Sequence, residues 1–256
     1  MRSSFKGVAT ACVVAVLTAT AVAHESLPVS ATRQVTPPAP GAPLVAPPPV
    51  AAKFKVVVND PSAGPQRKSR QQEWYFYRDA NRIAVIKGSV EDIWLRDARG
   101  AVRFERVLHD DQRVIEYSAG ELITLGVAAE WNALATFVDA RELARMKQSG
   151  RTSHGAAQKL HFSAAVGEER LSVEWLAALQ LPALVTRQSK GKPSLRYELL
   201  ASSEQPQAGW PLPGARSADY LRIDAADFGD MESDPVVRKA EAIDIRAGWR
   251  GAHAHD

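Results

Sequence analysis

Cysteine is nearly absent: Cys12 is the only one in 256 residues. That excludes a disulfide-stapled scaffold and a thiolate metal cluster. No charge of either sign dominates, with 32 Lys+Arg against 29 Asp+Glu and a formal net charge of +3. A chain of that balance lacks the broad basic surface that a nucleic-acid partner requires. Beyond the first two dozen residues there is no apolar run near the ~18 residues of a membrane-spanning helix. The nucleophile elbow G-x-S-x-G does not occur, which removes the commonest sequence sign of serine hydrolase chemistry. What remains is an ordinary globular composition, 45% hydrophobic and 24% charged, which excludes a wholly disordered or collagen-like chain.

The first 23 residues read as a secretory signal peptide. Arg2 and Lys6 supply the positive start, Val8 to Leu17 the apolar stretch, and Ala21-Val22-Ala23 an A-x-A cleavage site. Cleavage there removes the only cysteine and two of the basic residues, leaving a nearly neutral, cysteine-free chain for the periplasm or the exterior. Residues 24–53 hold eight of the 16 prolines, Pro28, Pro37, Pro38, Pro40, Pro43, Pro47, Pro48 and Pro49, and no aromatic residue. Proline fixes φ and removes a donor, so this stretch is expected to be an extended, flexible tether. Residues 54–250 are expected to form one domain, and 251–256 a frayed tail.

From Trp74 onward the dominant period is two, the mark of half-buried strands. Leu160, Phe162, Ala164 and Val166 alternate with polar or small residues, as do Leu171, Val173 and Trp175, and then Leu195, Tyr197 and Leu199. Weaker strand patterns occupy Glu73–Arg78, Arg82–Lys87, Asp92–Arg96, Ala101–Leu108, Arg113–Tyr117, Pro182–Gln188 and Tyr220–Asp224. Turn chemistry separates them: Asp79-Ala80-Asn81, Asp97-Ala98-Arg99-Gly100, His109-Asp110-Asp111-Gln112 and Gly167-Glu168. The connections are too short for crossover helices, which demands antiparallel pairing. One helical region interrupts the strands. Trp131 to Val138 suggests a helical turn, and Asp139 with Glu142 suggests a capped helix carrying Leu143 and Met146 and stopping at Gly150. The fold class expected is therefore mostly β with a few helices: a curved antiparallel sheet, half-barrel or open barrel, with a helical insert.

This order of export signal, flexible segment, strand meander, helical insert and second meander resembles the half-barrel of periplasmic lipoprotein carriers and their relatives. The resemblance spans residues 74–224 and includes Asp92-Ile93-Trp94-Leu95-Arg96 and Val114-Ile115-Glu116-Tyr117. It implies an open, curved sheet covered by helices that cups an acyl chain or a lipidated partner. It brings no site residue with it. The residues themselves offer Trp74, Trp94 and Trp175, bulky aromatics on predicted strands, as candidates to line an apolar cavity, or else as core filling.

The segment Asp224 to Pro235 is rich in carboxylates. Asp227, Asp230, Glu232 and Asp234 could supply oxygen ligands to Ca²⁺ from one flexible loop. The competing reading is an acidic surface loop whose Asp234 caps a helix beginning at Pro235 and running through Val237, Ala240 and Ile243. His109-Asp110-Asp111 falls in a hairpin turn and reads as turn chemistry. Glu73, Glu105 and Glu116 are the strand carboxylates that a glycoside-hydrolase mechanism could use, or else surface ladder residues. Three functional classes follow. The first is an exported, non-enzymatic binding or accessory protein that holds an apolar or lipidic ligand, or an envelope protein partner, in the sheet's concavity. The second is a periplasmic hydrolase using the strand carboxylates or a metal held by the acidic loop. A solid, tryptophan-filled envelope scaffold is a third.

Overall fold

Half-buried alternation becomes a single sheet of 12 strands. The computed structural model describes residues 46–59, 69–127, 129–138, 140–154, 157–190 and 194–249. The expected export segment, most of the tether and the tail 251–256 lie outside the described residues. The strands are β1 (Val50–Asn59), β2 (Arg70–Arg78), β3 (Arg82–Lys87), β4 (Val90–Arg96), β5 (Val102–Leu108) and β6 (Arg113–Tyr117). Three short helices follow, α1 (Ala119–Thr124), α2 (Trp131–Thr136) and α3 (Ala140–Arg145). Then come β7 (Lys147–His154), β8 (Ala157–Val166), β9 (Glu169–Leu176), β10 (Leu181–Ser189), β11 (Ser194–Ser203) and β12 (Leu221–Asp224). A 3-10 helix, Ala225–Met231, and α4 (Pro235–Ala247) close the described chain.

The sheet order is β12-β6-β5-β4-β3-β2-β1-β11-β10-β9-β8-β7, curved and not closed. This is the β-rich class read from the sequence. All neighbours are antiparallel except β12, which runs parallel to β6. The long connection from β11 through residues 204–220 gives β12 room to arrive in that direction. Two expectations are corrected. The tether does not reach residue 53, because β1 begins at Val50 and pairs with both β2 and β11. The helix expected to run to Gly150 ends at Arg145, and Lys147–His154 forms an edge strand instead.

Local chemistry explains the turns. The Asp79 carboxylate accepts from the amides of Asn81 (3.0 Å) and Arg82 (2.8 Å), closing the β2–β3 turn. Asp97 does the same for Arg99 and Ala101, both at 2.8 Å. Ser118 and Glu121 form a full capping box on α1. Asp234 caps α4 through the amide of Val236 at 2.6 Å, with Pro235 in the first turn, as the cap reading expected.

All four α-helices lie on one face of the sheet. Over β1–β6 and β12 that face carries Phe54, Phe76, Trp94, Phe104 and Tyr117, packed under α1, α2, α4 and Phe228. Over β8–β10 it carries Leu160, Phe162, Val173 and Trp175, packed under Val138, Leu143 and Met146. The opposite face carries a third cluster, Ala51, Tyr77, Ala84, Ile86, Ile93, Val107 and Val114, against which Trp210 and Tyr220 of the 204–220 connection pack.

Candidate functional site

The two apolar clusters of the helix-covered face meet at a seam, and α2 crosses it. Phe54, Trp74, Phe76 and Tyr197 rise from the sheet there. Phe137, immediately after α2, drops onto them: its ring lies 5.0 Å from Phe54, 4.6 Å from Phe76 and 6.2 Å from Tyr197. To do so Phe137 takes φ +61°, a left-handed conformation that bulky residues avoid. The Thr136 hydroxyl lies between the carbonyls of Asn132 (2.6 Å) and Val138 (2.7 Å) and donates its one proton to either of them at this bend.

Beneath the bend lies Arg78, the last residue of β2 and only 3% exposed. Alternation along β2 sends Arg78 to the same face as Phe76 and Trp74. Its guanidinium binds no carboxylate among the described residues. It donates instead to backbone carbonyls: Pro48 (2.8 Å), Ala135 in α2 (2.5 Å), and Leu179 (2.7 Å) and Gln180 (3.2 Å) between β9 and β10. One cation thus ties three separate segments to the end of β2. Burial pushes its pKa down to about 10, which still leaves it charged at neutral pH. A buried charge satisfied only by neutral dipoles is held less firmly than one with an ionic partner. The clamp is strong in number and weak in kind.

Beside the second cluster is a cavity of about 360 Å³ between α3 and β7–β10. Met146, Ala164 and Leu171 line it, together with Arg145, Lys147 and Arg187. Arg187 is engaged by Glu169 at 2.6 Å.

The three tryptophans named from the sequence are all buried, but they do not share one wall. Trp74, 5.5 Å from Tyr197, is at the seam. Trp94 sits deeper in the first cluster against Phe104 and Trp249. Trp175 belongs to the second cluster.

The acidic segment does not gather. Asp224 caps the 3-10 helix and Asp234 caps α4, while Asp227, Asp230 and Glu232 are exposed. Among the described residues no three His, Cys, Asp or Glu side chains are placed to hold a metal ion. The strand carboxylates are in ion pairs: Glu73 with Lys53 at 2.9 Å, and Glu105 and Glu116 both on Arg222, at 3.0 and 2.8 Å. Arg78 was missed by the sequence reading. Its partners are main-chain carbonyls, which every residue possesses, so no spacing could have announced them.

No family model and no curated protein matches the chain. Solved structures do. PNGF-II matches at TM-score 0.39 and 10% identity over 72% of this chain, which spans 32% of that one. MucB of Pseudomonas aeruginosa, solved in complex with MucA, matches at TM-score 0.31 and 11% identity, covering 65% of this chain and 62% of that one. A LolA superfamily protein of Nitrosomonas europaea matches at TM-score 0.24 and 8% identity, covering 64% and 89%. A putative outer membrane lipoprotein-sorting protein domain of Vibrio parahaemolyticus matches at TM-score 0.31 and 8% identity, covering 65% of this chain and 88% of that one. No ligand, partner or site residue is transferred from them.

Proposed function

We propose that the protein is an exported, non-enzymatic binding protein of the cell envelope, and that it receives an apolar chain, free or on a lipidated partner, between the sheet and the helical insert. The observation that carries this is the Arg78 clamp. A solid core gains little from a buried cation tied to four carbonyls, since desolvating the charge offsets much of what those contacts return. A cover that must part from the sheet needs a contact that opens into water at little cost. Arg78 supplies one, because both the guanidinium and the released carbonyls are well solvated once exposed. Parting α2 from the seam would lift Phe137 off Phe54 and Phe76 and expose Trp74. It would also extend that apolar surface toward the cavity beside Met146 and Leu171.

The test is native mass spectrometry on the chain without residues 1–23, purified from a periplasmic fraction without detergent. The wild type and Arg78→Met are compared. Methionine keeps much of the apolar stem and removes the clamp. The expected result is a lipid-mass adduct, lost on denaturation, at higher occupancy in Arg78→Met. A bare polypeptide mass in both, with no uptake of a fluorescent fatty acid by either, would refute the reading.

A further inference from the structure

The face opposite the helices bears an arrangement that the clamp does not involve. Residues 204–220 cross that face as an irregular strap over the third apolar cluster. Four contacts hold the strap down. The Tyr77 hydroxyl donates to the carbonyl of Pro211. Trp210 stacks edge-on against Tyr75 at 5.6 Å. The amide of Gly214 donates to Glu91 Oε1 at 2.9 Å. The Tyr220 hydroxyl lies 3.3 Å from His109 Nδ1. Glu91 is 1% exposed, and its second oxygen, Oε2, is 3.5 Å from His109 Nε2. A carboxyl and an imidazole are therefore enclosed together, each also touching the strap.

We infer that Glu91 and His109 hold one proton between them while the strap is closed, and that opening the strap moves this proton from the carboxyl to the imidazole with no net uptake or release. The closed arrangement accommodates the proton on Glu91: the carboxyl faces Nε2 across 3.5 Å, and Nδ1–H donates to the Tyr220 hydroxyl, which can act in either sense. Burial drives Glu91 upward to about 7 from its ordinary 4.5, against the Gly214 amide and Arg82. Burial, then Arg216, lowers His109 from its ordinary 6.5. The other charged or titratable neighbours are Tyr77 of β2, Asp92 of β4, Glu105 of β5 and Asp110 of the turn. Once the strap lifts, water solvates both groups, and between pH 4.5 and 6.5 the proton belongs on the imidazole. The closed and open pairs then carry the same number of protons. Linkage makes strap opening independent of pH over that interval. Acidification would therefore leave the apolar patch beneath covered.

Hydrogen exchange of the 204–220 amides, corrected for intrinsic rates, tests this between pH 5 and 6.5. The wild type is expected to show a flat opening constant. Glu91→Gln leaves only the histidine, so opening should become easier as pH falls, by up to about tenfold per unit. His109→Gln leaves only the carboxyl, so opening should become easier as pH rises, by a similar factor. A sloping wild type, or single variants that slope the same way or not at all, would overturn the inference. Should a variant fail to fold, the His109 imidazole resonances of the wild type decide. They stay those of a neutral ring down to pH 5 if the proton sits on Glu91. Titration near 6.5 rejects the assignment.

Discussion

Asp244→Ala is the sharpest test of how the helices are held to the sheet. Asp244 lies in α4 with 0% exposure. One carboxylate oxygen accepts from Arg106 Nη1 and the other from the Tyr117 hydroxyl at 2.9 Å. Arg106, itself 1% exposed, also binds Asp92 at 3.0 Å, and Asp92 binds Lys87 at 2.7 Å. Two cations and two anions are thus linked in one network, and the Trp249 ring lies 5.0 Å from the Arg106 guanidinium. Alanine at 244 leaves a surplus positive charge in that network and removes the carboxylate that the Tyr117 hydroxyl donates to. Breaking a buried pair from one side costs about 3–5 kcal/mol. For a chain of this size each kcal/mol moves Tm by roughly 2–4 °C, so a fall of about 6–20 °C is expected. Replacing both partners, as in Arg106→Met with Asp244→Leu, should recover much of that loss, because an apolar pair removes the charge imbalance. Thermal unfolding followed by circular dichroism, with urea titration for ΔΔG, measures both. A single variant within about 1 kcal/mol of wild type would refute the reasoning. So would a double variant worse than either single change.

The same network sets the response to acid. Burial raises the Asp92 carboxyl, but Lys87 and Arg106 more than reverse this and hold it at about 2, against an ordinary 3.8. A depressed carboxyl contributes stability above its unfolded value and loses it as pH falls through the folded one. Urea midpoints should therefore drop between pH 4 and 2, and Asp92→Asn should flatten that drop while lowering stability at pH 7. Asp234→Ala removes the cap of α4 and should cost about 1 kcal/mol in the same assay, with the slope against urea unchanged.

Much of the sheet was legible because its strands are half-buried. Leu171, Val173 and Trp175 alternate with polar residues because β9 has one apolar face and one wet one. β3 and β6 fell on their expected residues because Asp-containing turns precede them. β1 was not legible. It is central: Val50, Ala51 and Ala52 are all buried, and the alternation is confined to the short run from Ala52 through Phe54 to Val56. It also follows directly on the prolines. β7 was missed for the opposite reason: Lys147 to His154 contains no apolar side chain, and only the hydrogen-bond ladder with β8 makes it a strand. The S-x-x-E box at Ser118 and Glu121 was present and would have announced α1. The three tryptophans were correctly expected on strands, but their distribution between two clusters depends on how β1 joins the meanders. The Arg78 clamp and the burial of His109 belong to tertiary structure alone.

The position of β1 also orders events in time. It is the first described strand to leave the ribosome, yet half of its ladder belongs to β11: Ala51 faces Ser203 and Asn59 faces Ser194. Contacts between such distant parts of a chain close slowly. β1 can pair early with β2, but its other edge stays open until some 140 residues later have been synthesised. A nascent chain ending before residue 194 would have two meanders with no strand to unite them. Completion of the sheet is therefore a late step in biogenesis.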